Sequence, residues 1–268
     1  MLDQLLAHSR LLTVLYDNLP DEMKTSELYA RIAGYFAKYT SANNITVDDS
    51  ISIYTDYITT YNKHCKQFIK TGKYPVENGE GTFTISREHY DVVLLISVLF
   101  TPHRFRIMQL LQQKHSTGKA LFIGLGPGLE LMLTKENYSE IHAYDLSANE
   151  FLFAEFPGVS INVEMYTGQH ENYFDSIYMI ELLEHLEDPF ELLNTCSISL
   201  KKGGNIYLTT ASDIPQFDHL YNFPTDHTQF ENQLKESGMS ILFKELIPHH
   251  YLTLSLKPSN HFYVIEKN

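Results

Sequence analysis

Apolar residues in the first 117 positions recur at helical spacing. In the longest such segment, they stand three or four residues apart at Ile51, Tyr54, Ile58, Tyr61, Cys65 and Phe68. This spacing places them on one face of a helix over residues 48–71, and Gly72 followed by Pro75 predicts its end. A second segment, "REHYDVVLLISVLF", is apolar almost all round and predicts a buried helix. The pattern therefore predicts an N-terminal all-helical region over residues 1–117.

From Lys119 onward, short apolar runs alternate with helical segments. Seven runs are predicted to be strands: "KALFIG", "EIHAYD", "VSINVEMY", "FDSIYMIEL", "GGNIYLTTA", "SILFKELI" and "HFYVIEK". Such alternation is typical of a mainly parallel sheet with helices on both faces. The predicted fold class is therefore α/β, with a seven-stranded, mainly parallel sheet over residues 118–268 after the helical region. Ligands of such sheets bind outside the carboxyl ends of the strands.

Composition and charge narrow the class of partner. The chain has 268 residues, 43% of them hydrophobic, and a formal net charge of −13. No apolar run approaches the roughly 18 residues that span a membrane, and an acidic surface repels phosphate backbones. The two cysteines, in unlike contexts, predict neither a disulfide framework nor a cysteine-based metal site. We therefore expect a cytoplasmic protein that binds a small molecule, and neither nucleic acid nor a membrane.

The stretch "ALFIGLGPGLELML" joins the first predicted strand to a helix and contains Gly124, Gly126 and Gly128. Glycine permits a tight turn and the close approach of a ligand, and a helix N-terminus favours an anionic group. A dinucleotide-binding turn would need a glycine where Leu129 stands. Asp145 ends the second strand, where an acidic residue can accept hydrogen bonds from a ribose. The pattern predicts an adenosine-like ligand with a small charged group.

The segments "FIGLGPG", "AYD" and "FDSIYMIELLEHLEDP", in this order, resemble the class I S-adenosylmethionine (SAM)-dependent methyltransferases. The resemblance extends over roughly residues 119–268 and implies that SAM is the cofactor. The cofactor-binding residues that it implies are Gly124, Gly126, Gly128, Asp145, Leu146, Gly168, Gln169 and Glu181.

Two positions depart from the pattern of that family. Phe122 stands where the family usually has an acid that helps to hold the amino group of SAM. After the third strand, the chain reads "YTGQHEN" where the family often has "G-D-A". We therefore expect the adenine contact to come from Thr167, Gly168, Gln169 or the backbone.

The resemblance implies methyl transfer from SAM to a small-molecule metabolite. Such a transfer is an in-line displacement in which the protein chiefly aligns and desolvates the reactants. The predicted catalytic residues are His227, His185 and Tyr221, and the predicted substrate-binding residues are Tyr54, Tyr57, Tyr61, Asn222 and Phe223. Helix 48–71 and the long loop over residues 209–230 are expected to form the two walls of the substrate site. The N-terminal helices also offer a possible homodimer interface.

Two alternatives to methyl transfer stay open at this point. The first is a SAM-consuming transfer of another alkyl group, by cyclisation of the aminobutyrate arm or by aminocarboxypropyl transfer, either of which releases methylthioadenosine. The second is a non-catalytic SAM-binding protein. No metal site is expected, because the 13 histidines include no pair at the helical i, i+4 spacing.

Overall fold

The computed structural model describes residues 1–73, 85–114, 116–216, 218–249 and 256–268. The strands in these ranges are β1 (Gly118–Ile123), β2 (Tyr138–Asp145), β3 (Ser160–Val163), β4 (Phe174–Met179), β5 (Leu200–Ser212), β6 (Met239–Pro248) and β7 (Ser259–Lys267). They form one sheet in the order β3-β2-β1-β4-β5-β7-β6. Strands β1 to β5 pair in parallel, whereas β7 is antiparallel to both β5 and β6. The predicted fold class, with a seven-stranded and mainly parallel sheet, is confirmed.

Within the described ranges, seven helices precede the sheet. The helices are α1 (Leu2–His8), α2 (Arg10–Asp17), α3 (Asp21–Lys24), α4 (Glu27–Ala42), α5 (Val47–Thr71), α6 (Arg87–Phe100), α7 (Pro102–Gln113), α8 (Leu129–Thr134), α9 (Glu150–Glu155), α10 (Pro189–Ser199) and α11 (Thr228–Glu236). The N-terminal helical region is therefore confirmed in the described residues. No helix in these ranges is both long and apolar enough to cross a membrane.

Helix α5 begins and ends at residues suited to helix termini. Thr46 accepts a hydrogen bond from the Asp49 N–H at 3.1 Å, and Asp49 accepts one from the Thr46 N–H at 3.0 Å, which completes a capping box. Gly72 closes the helix in the left-handed conformation with φ of 66°. The predicted helix 48–71 is thus confirmed within one residue, while Pro75 lies outside the described residues.

The helical region and the sheet share one hydrophobic core. Leu5 and Leu95, from α1 and α6, belong to the same buried cluster as Ala120 and Phe262 of the sheet. The domain boundary after residue 117 stays a prediction, because burial is continuous across it. A second cluster, on the other face of the sheet, includes Leu193 of α10. Helices therefore cover both faces.

Gly128 packs against three large side chains at the start of α8. Its φ is 80°, and a Cβ built there would lie 2.7 Å from Leu152 Cδ2 and 3.0 Å from the Tyr35 hydroxyl. Gly238 has a similar φ of 76°, but nothing lies within 4 Å of its Cβ position. The two glycines therefore form a matched pair, in which only one has a packing constraint.

We expect Gly128→Ala to destabilise the protein more than Gly238→Ala. Both changes force alanine into a strained conformation, at a cost of about 1 kcal/mol, while overpacking at Gly128 adds roughly 1–3 kcal/mol. Urea unfolding midpoints measure the difference. Equal losses of stability in the two variants would show that the neighbours of Gly128 adjust without cost.

Candidate active site

A large cavity lies at the carboxyl ends of the strands. Its volume is about 1350 Å³, whereas a site for one small ligand typically has roughly 300–1000 Å³. Helices α2, α5, α6 and the start of α7 line one side, and the segments that follow β1 to β5 line the other. The cavity therefore has room for a nucleoside and a second molecule side by side.

The turn after β1 is tied to the end of β2. The Gly124 N–H donates to the Tyr144 carbonyl at 2.9 Å, and the Leu125 N–H donates to Asp145 Oδ2 at 2.7 Å. The other carboxylate oxygen of Asp145 accepts from the Ser147 N–H at 3.0 Å. Gly124, Leu125 and Asp145 also line the cavity. One carboxylate thus holds the glycine turn in shape and faces the ligand space.

The three glycines have different roles. Gly124 and Gly126 line the cavity, with φ of 75° and 49°, a conformation in which glycine avoids the strain of a side chain. Gly128 does not line the cavity, since Leu152 and its other neighbours fill the space that a side chain would need. A cofactor contact by Gly128 stays a prediction that its packing does not support.

Arg87 connects the helical region to this turn. Its guanidinium donates to Asp145 Oδ1 at 3.1 Å, to the Gly126 carbonyl at 2.6 Å and to Asp91 Oδ1 at 3.0 Å. Asp91 is fully buried and accepts a hydrogen bond from the Tyr39 hydroxyl at 2.8 Å. Arg87 is not among the site residues predicted from the sequence, although a charged pair four residues apart at the start of an apolar helix was a usable signal.

Two exposed apolar side chains lie at the end of the cavity nearest to β2 and β3. Leu146 is 73% exposed and Met165 is 61% exposed, and both line the cavity beside Thr167. Gly168 and Gln169 do not line it. The Gln169 side chain instead accepts a hydrogen bond from the Thr167 N–H at 3.2 Å, so it orders the loop rather than facing the ligand space.

Glu181, two residues beyond the end of β4, has a strained backbone. Its φ is 51°, a region that costs a non-glycine residue of the order of 1–3 kcal/mol. Thr209 accepts from the Glu181 N–H at 2.7 Å, and Asn260 donates to the carboxylate at 2.7 Å. The other carboxylate oxygen lies 3.4 Å from the Arg104 guanidinium. These contacts hold the Glu181 carboxylate at the edge of the cavity, which it lines.

The next residues form a short 3₁₀ turn, Leu183–His185, to which the loop after β5 is bound. The Glu184 carbonyl accepts from the N–H groups of Leu220 and Tyr221 at 2.8 and 3.0 Å. His185 Nδ1 lies 3.0 Å from the Asp218 carbonyl oxygen. These bonds bring His219 of the loop against the turn, with the rings of His185 and His219 centred 5.0 Å apart.

Burial shifts the pKa values of Glu184, in the 3₁₀ turn, and of His219 beside it. Burial, with Glu181 nearby, raises the pKa of the Glu184 carboxyl to about 7. Burial also lowers the pKa of His219 well below its usual value, so that its imidazole is neutral near pH 7. Glu184, His185 and His219 all line the cavity. This end of the cavity thus holds groups that can accept protons or bind cations.

The predicted tyrosines of α5 also line the cavity. Tyr54, Tyr57 and Tyr61 are all lining residues. The Tyr57 hydroxyl donates to Gln216 Oε1 at 2.7 Å, which joins α5 to the loop after β5. Ligand contact by these rings is a prediction that their position supports.

Comparisons with known proteins agree with this architecture. A family model described as a methyltransferase domain matches residues 103–242, slightly more than half of the chain. The chain belongs to the methyltransferase family. It is a class I, SAM-dependent enzyme, and its cofactor is SAM.

Curated relatives match a shorter segment of this methyltransferase. The ubiquinone biosynthesis O-methyltransferase of Shewanella sp. is 29% identical over 101 residues, which are 34% of this chain and 43% of that protein. The enzyme of the same name from Idiomarina loihiensis is 27% identical over 111 residues, 37% of this chain and 46% of that protein. The match thus spans less than half of the length of these relatives.

Solved structures share the fold at low sequence identity. A SAM-dependent methyltransferase from Leishmania major has a TM-score of 0.51 at 15% identity, over 76% of this chain and 82% of that one. The YcgJ protein from Bacillus subtilis has a TM-score of 0.50 at 11% identity, over 61% of this chain and 99% of that one.

Four predicted residues of the methyltransferase lie away from the cavity. His227, Tyr221, Asn222 and Phe223 are not among the lining residues. His227 Nδ1 is 2.7 Å from the Tyr263 hydroxyl, and burial lowers the pKa of His227 to about 4.

Aromatic packing explains why these residues of the loop after β5 do not line the cavity. Tyr221 and Phe223 pack against each other at 4.8 Å, and Phe223 is 1% exposed. The side chains of Phe223 and His227 are buried in the core, and the cavity wall is formed instead by the earlier loop residues Ile214, Gln216, Asp218 and His219. Roles for His227, Tyr221, Asn222 and Phe223 at the reacting centre stay predictions without geometric support.

The phenylalanine at the family's acid position is part of the core. The Phe122 ring stacks on Tyr178 with centroids 4.5 Å apart and is 2% exposed. The carboxylate nearest in sequence that lines the cavity is Glu130, in the first turn of α8. Burial raises the pKa of Glu130 to about 7, with Glu181 adding to the effect and Arg104 opposing it. The methyltransferase thus has a carboxyl group on this side of the cavity despite Phe122.

We expect Asp145→Asn to weaken SAM binding by roughly 10- to 150-fold. The change removes the charge from hydrogen bonds that contribute about 1.5–3 kcal/mol each. Asp175→Asn is the control, because Asp175 also accepts from a backbone N–H (Lys119, 2.8 Å) and pairs with a lysine, but does not line the cavity. Calorimetric titration with SAM measures both. Equal affinities for the two variants would exclude Asp145 from the cofactor site.

Proposed function

We propose that this enzyme transfers the methyl group of SAM to an oxygen atom of a small molecule bound beneath α5 and α6. The observation that carries the proposal is the single cavity that joins the glycine turn to Glu184, His185 and His219. Its volume exceeds that of a site for one ligand, and proton-accepting groups lie at the end away from Leu146. The name O-methyltransferase of the curated relatives also supports an oxygen acceptor.

The cofactor end of the cavity offers complementary groups for each part of SAM. The Asp145 carboxylate suits the ribose hydroxyls, and Leu146 and Met165 offer apolar surfaces for the adenine ring. Glu130 suits the ammonium group in place of the missing family acid, and Arg104 suits the carboxylate. SAM supplies an electrophilic methyl group on a positively charged sulfur.

The protein's contribution to this reaction is alignment and exclusion of water. The helices α2, α5 and α6 cover the carboxyl ends of the strands, where a SAM-binding domain alone would be open. Tyr57 and Gln216 join this cover to the loop after β5. A covered site aligns the acceptor with the methyl group and strengthens electrostatic interactions by lowering the local dielectric constant. An oxygen acceptor must also lose a proton, and Glu184, His185 and His219 can promote that loss either by accepting the proton or by holding a cation beside the oxygen.

We predict that SAM affinity depends on the ionisation of Glu130. Burial raises the pKa of this carboxyl to about 7, so its charged fraction rises from about 3% at pH 5.5 to half at pH 7, while an α-ammonium with a pKa of about 7.7–8.0 stays charged. If only the charged form binds the ammonium group, the affinity of the wild type is therefore expected to increase up to about 16-fold over this range. Titrations at both pH values test this.

The Glu130→Gln variant isolates this effect. It is expected to bind SAM weakly at pH 7 and to lose most of the pH dependence. Glu136→Gln, at an exposed carboxyl that does not line the cavity, is the control and should behave like the wild type. A pH profile of Glu130→Gln as steep as that of the wild type would assign the titration to another group.

The reaction itself is tested by product analysis. We expect incubation with SAM and a panel of phenols, catechols and hydroxy acids to yield S-adenosylhomocysteine and an O-methylated product, both identified by mass spectrometry. Asp145→Asn at subsaturating SAM should give less of both. Methylthioadenosine as the main product would contradict methyl transfer in favour of the other alkyl transfers, and SAM binding without any turnover would favour a binding protein. The cytoplasmic location and the homodimer stay predictions.

A further inference from the structure

Three side chains of metal-ligand type converge at the end of the cavity away from Leu146. This end, where the methyl acceptor is proposed to bind, is called the acceptor end. One carboxylate oxygen of Glu184 and one nitrogen each of His185 and His219 lie within 4.8 Å of one another. Ligand atoms around one zinc ion, at bond lengths of 2.0–2.2 Å, are about 3.4 Å apart. Shifts of about 1 Å in these side chains would therefore bring all three to one ion.

Buried carboxylate oxygens at this point have no partner in the described part of the chain. Glu184 is 2% exposed, and its Oε2 makes no hydrogen bond there; the same is true of Asp218 Oδ1. A buried polar atom without a partner is costly and is rare in native proteins. A cation held between Glu184 and the two imidazoles would satisfy the Glu184 oxygen.

Neighbouring groups orient both imidazoles. His185 Nδ1 lies 3.0 Å from the Asp218 carbonyl oxygen and 3.6 Å from Asp218 Oδ2, which leaves Nε2 to face an ion. His219 Nε2 lies 3.2 Å from the side-chain nitrogen of Gln216, whose oxygen accepts from the Tyr57 hydroxyl. Metal-binding histidines typically have an oxygen partner, as His185 has in the Asp218 carbonyl, on the nitrogen that does not bind the metal.

We propose that Glu184, His185 and His219 bind one divalent transition-metal ion whose open coordination positions face the cavity. Two imidazoles and one carboxylate favour ions such as Zn²⁺, Fe²⁺ or Mn²⁺ over Mg²⁺ and Ca²⁺, which prefer oxygen ligands. Three protein ligands leave room for a further ligand, as in catalytic rather than structural zinc sites. This site differs from the sequence-based expectation of no metal.

The role of the ion in catalysis rests on the proposed function. A substrate hydroxyl at an open position would bind the metal through oxygen, which lowers the pKa of the hydroxyl. Its proton passes to solvent water. The oxygen then shares an electron pair with the methyl carbon, and the carbon–sulfur bond breaks with its electrons remaining on sulfur. The substrate class is therefore a molecule with a hydroxyl group, or with two adjacent oxygens that chelate the ion.

Metal binding is tested with Zn²⁺ on the full-length chain after treatment with a chelator and dialysis. We expect one ion per chain in a competition assay with a chromogenic chelator. Glu184→Gln, which keeps the shape of the side chain, and His219→Ala should weaken binding by about 100-fold or more. His89→Gln is the control, because His89 is exposed on α6 and does not line the cavity. Mg²⁺ is expected to compete poorly.

A second measurement separates loss of the ion from loss of the fold. Zn²⁺ should raise the melting temperature of the wild type and of His89→Gln, but not of Glu184→Gln, whose metal-free melting should stay cooperative. Zinc binding that is equal in all four proteins would overturn the site. Stoichiometric binding with O-methyl transfer that is indifferent to chelation would keep the site and overturn its role in the reaction. A metal site that persists without any methyl transfer would instead count against the proposed function alone.

Discussion

The carboxylate of Asp145 is the point on which the architecture of the active site depends. Its two oxygens accept hydrogen bonds from the Leu125 N–H, the Ser147 N–H and the Arg87 guanidinium. The first of these shapes the glycine turn, and the last attaches α6 to it. Arg87 also pairs with the buried Asp91 of α6. A network of ion pairs therefore connects the end of β2 to the helical region. If α6 moved away from the turn, the buried Asp91 carboxylate and Asp145 would lose Arg87 as their common partner.

A comparable arrangement holds the acceptor end together. The loop after β5 is joined to the 3₁₀ turn by two N–H groups on the Glu184 carbonyl, and to α5 by Tyr57. The strained backbone of Glu181 lies two residues before this turn and is held by Thr209 and Asn260. Strain of this kind persists only where neighbouring contacts determine the conformation. The rigid surroundings of Glu181 fit a site where groups must be aligned within a fraction of an ångström.

The two ends of the cavity differ in chemistry. The end near β2 combines one carboxylate with exposed apolar side chains, Leu146 and Met165, which suits a nucleoside. The other end brings two imidazoles and a buried carboxyl together. This separation allows a charged donor and a proton-bearing acceptor to be bound at the same time without competing for the same groups.

The sequence by itself determined the fold and several of the residues that line the cavity at the ends of the strands. The spacing of apolar residues in α5 requires this helix to bury one face. The alternation of strands and helices is compatible with only a few strand orders in the sheet. The positions of Gly124, Gly126, Asp145 and Glu181 follow from their places at strand ends, because parallel strands bring their carboxyl ends to one edge.

Tertiary structure alone decided which distant residues meet. Nothing local to Arg87 or His219 indicates that one reaches Asp145 and the other Glu184, because long-range contacts depend on how loops and helices pack. The same packing turned His227 and Phe223 into the core through aromatic contacts, although their loop position suggested the cavity. Phe122, too, is explained only by the ring of Tyr178 on the neighbouring strand. Local patterns thus specify elements and strand ends, whereas side-chain packing between elements selects which polar groups share a site.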